Sequence, residues 1–232
     1  MNIRLSWIGL LTGVLYWNGA LAEVTIPNLI SSARSVSEAE SYDSDYLFVK
    51  SNYELANGPQ LFYAAVVEAH LGDKTESLKY LISGQIRSTT DMSLFKPASE
   101  TDERLMADLY GMIFYQFGGA GGNDIYKDEA KYSKIFENIR AYQPIFNETY
   151  NPGWNHIDSP SKTEYSEKIT QGKEHRLKQL TDLVSLLKNE EYVALSKELD
   201  EIKNDPESSK RSLEIINKMR EISGAPKVVI QE

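Results

Sequence analysis

From Leu61 onward, apolar side chains return at intervals of three and four residues, the spacing of a helix with one buried face. Leu61, Phe62, Ala65, Val66 and Ala69 share such a face, and Asn57-Gly58-Pro59 opens it, with proline tolerated in a first turn. Leu71-Gly72-Asp73 closes this helix and starts another. Glycine stops a helix in the left-handed conformation, and Asp73 with Glu76 has the spacing of a capping box. The second helix carries Leu78, Leu81, Ile82, Gln85 and Ile86. The pair is an αα-hairpin that resembles a single tetratricopeptide unit. No second copy follows at the offset a repeat array uses.

A third run, Leu105, Leu109, Met112, Ile113 and Phe117, follows Pro97-Ala98-Ser99-Glu100. Ser99 or Thr101 can cap it, and Asp102 and Glu103 suit its positive end. Tyr126 to Ile145 is helical again, with Tyr132, Ile135, Phe136 and Ile139 to one side, until Asn151-Pro152-Gly153 breaks the chain. Asn155 to Lys162 reads as a surface loop. From Thr163 the character changes: residues are mostly charged, and the apolar series is Leu177, Leu180, Leu183, Val184 and Leu187. Tyr192, Leu195, Leu199 and Ile202 extend it past a break near Asn189. Asp205-Pro206-Glu207 begins a last helix with Leu213, Ile216 and Met219, closed by Gly224-Ala225-Pro226. The tail KVVIQE is open as a short strand or a loose end. The expectation is an all-α fold built from antiparallel helix hairpins, one domain over residues 23–232, with 163–232 its more charged part.

The first residues stand apart. Arg4 precedes an apolar run from Leu5 to Tyr16, and Ala20-Leu21-Ala22 is a small-x-small cleavage site. That order is a secretory signal peptide cleaved after Ala22. The run is short for a membrane span, and Glu23 follows at once. The chain has no cysteine, which excludes disulfides and lipid-modified cysteine. A secreted chain of this size without disulfides fits a bacterial periplasm. The net charge is −9, and loss of Arg4 with the leader makes it one unit more negative. Such a surface disfavours nucleic acid and anionic lipid, and suits a basic partner. Asn147-Glu148-Thr149 matches a glycosylation acceptor, which matters only in a eukaryotic secretory route.

The stretch QFGGAGGND, residues 116–124, invites a nucleotide reading, which its surroundings do not support. A Walker A loop needs Lys and Ser or Thr directly after its glycines. Here Asn123-Asp124-Ile125 follows, and Lys127 is misplaced. A dinucleotide fingerprint needs a strand before the glycines, but residues 105–117 read as helix. Asp124 would repel a phosphate. The loop reads as a helix connection whose exposed amides can serve recognition.

No other cofactor or metal signature emerges. His70, His156 and His175 are scattered, and no HExxH or GxSxG occurs; Ser83-Gly84 and Ser223-Gly224 lack the nucleophile elbow. Asp43 with Asp45, and Glu100, Asp102 and Glu103, are grouped carboxylates that fit helix starts and acidic surface as well as acid/base work. An envelope enzyme acting on peptidoglycan through paired carboxylates is therefore the alternative to a binding role, and a non-catalytic scaffold is a third reading.

The segment from Gln85 to Tyr126, QIRSTTDMSLFKPASETDERLMADLYGMIFYQFGGAGGNDIY, with the upstream LFYAAVVEAH, resembles periplasmic immunity proteins of type VI secreted bacterial effectors. That resemblance, over about residues 57–155, implies a helical protein that neutralises a cognate secreted toxin by forming a complex, with no catalysis of its own. Partner contacts are then expected at two helix-end loops: Gly118, Gly119, Gly121, Gly122, Asn123 and Asp124 in the first, and Tyr150, Trp154, His156 and Asp158 in the second. Trp154, the one tryptophan outside the leader, has two possible uses: filling a partner pocket, or folding back to pin its own loop.

Overall fold

Residues 44–111, 123–202 and 208–228 are described by a computed structural model, and within them the chain is mostly helical, with no strand. The helices are α1 (Ser44–Ser51), α2 (Gly58–Leu71), α3 (Lys74–Leu94), α4 (Glu100–Gly111), α5 (Asn123–Tyr126), α6 (Glu129–Ala141), α7 (Lys162–Leu187), α8 (Glu190–Ile202) and α9 (Ser209–Ile222). The all-α expectation holds. None of these helices is long and apolar enough to cross a membrane. The chain divides into two compact units at Leu177 and Lys178, inside α7.

In the first unit, local chemistry fixes the α2–α3 hairpin. The Asn57 side chain accepts from the Gln60 amide at 3.0 Å, and the Gln60 side chain accepts from the Asn57 amide at 3.0 Å. This reciprocal box satisfies donors that a helix start leaves open. Gly72 ends α2 at φ 84°, where a side chain would be strained. Asp73 then caps α3 through the amides of Thr75 and Glu76. The reciprocal half of the expected box is not made there, because Glu76 pairs with Lys79 at 2.9 Å instead.

The two helices approach closely at Gly84. A Cβ on that residue would stand 3.2 Å from the Gly58 carbonyl oxygen and 3.3 Å from Leu61 Cβ. Leu61, Ala64, Ala65, Val67, Ile82 and Ile86 fill this interface and have almost no exposed surface. α7 approaches α3 where Gly172 faces Ile86. Helix α1, which the apolar pattern does not announce, is tied to α2 by polar bonds. Tyr46 donates to Glu68 at 2.9 Å, and Lys50 pairs with the same oxygen at 2.8 Å.

In the second unit the buried side chains are Leu180, Leu183 and Val184 of α7, Tyr192, Leu195 and Leu199 of α8, and Ile215 and Met219 of α9. Asn189 makes the expected break and caps α8 by accepting from the Tyr192 amide at 2.9 Å. Arg211 of α9 pairs with Glu198 of α8. The last helix begins at Ser209; the Asp205-Pro206-Glu207 start lies outside the described residues. Val228 forms no strand. Its amide and carbonyl bond the Asn217 side chain, and residues 229–232 lie outside the described residues.

Gly84→Val should destabilise the first unit by about 1–3 kcal/mol, because the added methyls have no space between α2 and α3. Urea unfolding checks this; an unchanged midpoint would mean that the helices separate without cost.

Candidate functional site

Helix α3 runs two turns beyond its apolar face, and the extra turns are polar yet buried. Arg87 and Asp91 sit one turn apart, and both have 0% exposure. A buried charge is costly unless its hydrogen bonds are made. Arg87 makes them to three separate places. Its Nη1 donates to the Glu54 carbonyl at 2.8 Å, its Nη2 to the Ile145 carbonyl at 2.8 Å, and its Nε to the Tyr150 hydroxyl at 3.0 Å. The guanidinium also lies over the Tyr150 ring, 4.2 Å from its centre.

Asp91 completes the cluster. Its two oxygens accept from Tyr150 at 2.5 Å and from Tyr165 of α7 at 2.9 Å. No direct ion pair joins Asp91 to Arg87; the Tyr150 hydroxyl stands between them, accepting from one and donating to the other. Burial pushes Asp91 up from 3.8 to about 7, against the lowering effect of Arg87 and the two phenols. Burial likewise raises Tyr150 well above the usual phenol range.

This cluster carries the segment between α6 and α7. Ile145 is held twice, its amide donating to Glu54 at 2.7 Å and its carbonyl accepting from Arg87. Phe95, Phe146, Tyr150 and Tyr165 form one aromatic group, with Phe146 stacked on Tyr165 at 4.5 Å between centroids. Trp154 is 4% exposed, and its indole donates to the Phe95 carbonyl at 3.1 Å. The fold-back use of this ring is the one adopted, and the accessible-anchor use is corrected. An indole shut in by its own loop offers no surface to a partner pocket.

Beyond Trp154 the loop is bonded to the start of α4. Asp102 accepts from the Asn155 amide at 3.0 Å and its side chain at 3.1 Å, while Ser99 donates to the other Asp102 oxygen at 2.5 Å. These donors, the Ser99 hydroxyl foremost, hold Asp102 below the usual carboxylate range. Ala98 donates to Asn155 and Ile157 to Lys96, both at 3.0 Å, around a bridge between Pro97 and His156.

The expected second loop is thus a built structure whose residues divide into two sets. Tyr150 and Trp154 are internal fasteners. His156 is half-buried, with its ring against Phe95 and its nitrogens near the Trp154 carbonyl and Ser159. Asp158 is exposed, and Ile157, which the sequence reading did not single out, is 59% exposed. The first loop, Gly118, Gly119, Gly121 and Gly122, lies outside the described residues; Asn123 and Asp124 open α5. Of the grouped carboxylates, Glu100 and Glu103 are exposed and Asp102 is turned to Asn155, while Asp43 lies outside the described residues. Ser83 is bonded to Tyr53. Among the described residues no three of His, Cys, Asp and Glu gather as a metal would require.

Comparison with protein-family models gave no match. Comparisons with curated proteins and with solved structures gave none either.

Tyr150→Phe should cost about 2 kcal/mol or more, because it strips a partner from both Arg87 and Asp91. Tyr165→Phe strips one from Asp91 alone and should cost less. Urea unfolding of the two variants checks the order, and equal losses would contradict the bridging role given to Tyr150.

Proposed function

We propose that this protein binds and neutralises a secreted bacterial effector in the periplasm by surface contact, as immunity proteins do. The observation that carries the reading is the Tyr150–Asp158 loop. It is fastened from within by Tyr150, Trp154 and Asn155, and it presents Ile157 and Asp158 outward. A loop ordered before binding loses little entropy on binding, which favours recognition by an otherwise small patch. The signal-like leader, the acidic charge and the resemblance of the 57–155 segment support the same reading. A negative surface steers a basic partner inward and raises the association rate more than the final affinity.

The contact residue proposed here is Ile157, with Trp154 as the residue that positions it. A truncated Ile157 removes an apolar knob and leaves the fasteners in place.

The test begins with co-purification of the full chain with the product of the neighbouring gene. Toxicity rescue with and without residues 1–22 follows, and N-terminal sequencing of the periplasmic fraction should begin at Glu23. Ile157→Ala should weaken the complex by about 2 kcal/mol at a true hot spot, with the unfolding midpoint unchanged. Trp154→Ala should lower both. Absence of a complex, or full protection against a periplasmically delivered toxin by protein kept in the cytoplasm, would refute the reading.

A further inference from the structure

Asp91 is a fully buried carboxyl whose only hydrogen-bond donors are two neutral phenols. The nearby cation contributes no direct bond to it: Arg87 spends its donors on Tyr150, Glu54 and Ile145. Each of the three Arg87 nitrogens therefore keeps its acceptor whether or not Asp91 is charged, although the Arg87 charge itself favours the ionised carboxyl. The carboxyl differs. When it is ionised, the closed structure must hold a negative charge that water would solvate far better. When it is protonated, either phenol can rotate its hydroxyl to accept the new proton, since a hydroxyl both donates and accepts. Undocking the segment from Ile145 to Ile157, Tyr150 with it, would remove a donor from Asp91 and admit water to the carboxyl.

We propose that the Arg87–Asp91–Tyr150–Tyr165 cluster is a proton-operated latch: a proton on Asp91 favours the docked segment, and its release to solvent favours opening. This reaches beyond the proposed binding role and does not depend on it. The groups around Asp91 are Arg87 on its own helix, Tyr150 from the segment and Tyr165 from α7, with Tyr142 buried beside Arg87. Glu54 offers Arg87 its carbonyl rather than its carboxylate. Asp102, the other carboxylate bonded to the segment, is held low and stays ionised above the acid range.

The direction follows from linkage. In the docked state Asp91 titrates near 7, and in an opened state it returns toward 3.8. Between those values the docked state holds a proton that the open state has lost. Opening therefore gains up to about tenfold per pH unit across that window and levels off above it. Raising the pH loosens the latch, and lowering it tightens the latch.

Amide hydrogen exchange on the full chain from pH 5 to 8, corrected for the intrinsic pH dependence of exchange, tests this. The amides of Ile145, Asn155 and Ile157 report docking, because each donates across the segment's boundary. Their opening constants should climb by about tenfold per unit and flatten near neutrality, while amides in α8 stay level. Asp91→Asn should abolish the climb. If that variant does not fold, Tyr165→Phe supplies the check. With one donor to the carboxylate gone, the point of flattening should move to higher pH. Histidine as a residue type changes charge in the same range, so His156→Gln must leave the climb intact. A wild-type opening constant that does not change with pH, a climb that survives Asp91→Asn, an unmoved flattening point in Tyr165→Phe, or a climb lost in His156→Gln would each overturn the latch.

Discussion

A guanidinium with no exposed surface must find its acceptors inside the protein, and that requirement organises the first unit. Arg87 cannot be satisfied by α3 alone, since a helix spends its own carbonyls on its own amides. It draws the Glu54 carbonyl from one turn, the Ile145 carbonyl from the end of another connection, and the Tyr150 hydroxyl from beyond it. Tyr165 reaches the same cluster from α7 through Asp91. One buried side chain therefore specifies where segments distant in sequence must lie. An apolar residue at position 87 would fill space without fixing any of those positions. That difference is the argument for a buried polar network as a device of specificity more than of stability.

The same network also sets the far end of the segment. Order imposed at Ile145 and Tyr150 is passed along the chain by the Trp154 indole and the Asn155–Asp102 bonds, and it ends at Ile157. Loops that connect helices are ordinarily the mobile, variable parts of a domain. This one is fastened at four points and still exposes a large apolar side chain at its tip.

How much of this was legible beforehand differs between the fold and the site. Helix type and the α2–α3 turn follow from local chemistry: apolar spacing, Asn57 with Gln60, and Gly72. Helix α1 has little amphipathic pattern and is held by Tyr46 and Lys50 on Glu68, a long-range arrangement that periodicity does not record. Arg87 and Asp91 were not singled out in the sequence, although they are the two charges of LISGQIRSTTD and stand at the one-turn spacing. Their partners were not visible, because a carbonyl acceptor leaves no mark on residue type. Trp154 shows the limit most clearly. A lone tryptophan among turn formers suits an outward anchor and an inward pin equally, and the Phe95 carbonyl that decides between them is distant in sequence.

If the first unit depends on Arg87 acting through Tyr150, the two residues must be energetically coupled. A double-mutant cycle in urea unfolding, with Arg87→Met, Tyr150→Phe and the combined variant, measures this directly. The account predicts that the second substitution costs much less once the first is made, with a coupling of about 1 kcal/mol or more. Losses that add to within about 0.5 kcal/mol would contradict it, and would mean that the segment is held by its aromatic packing alone.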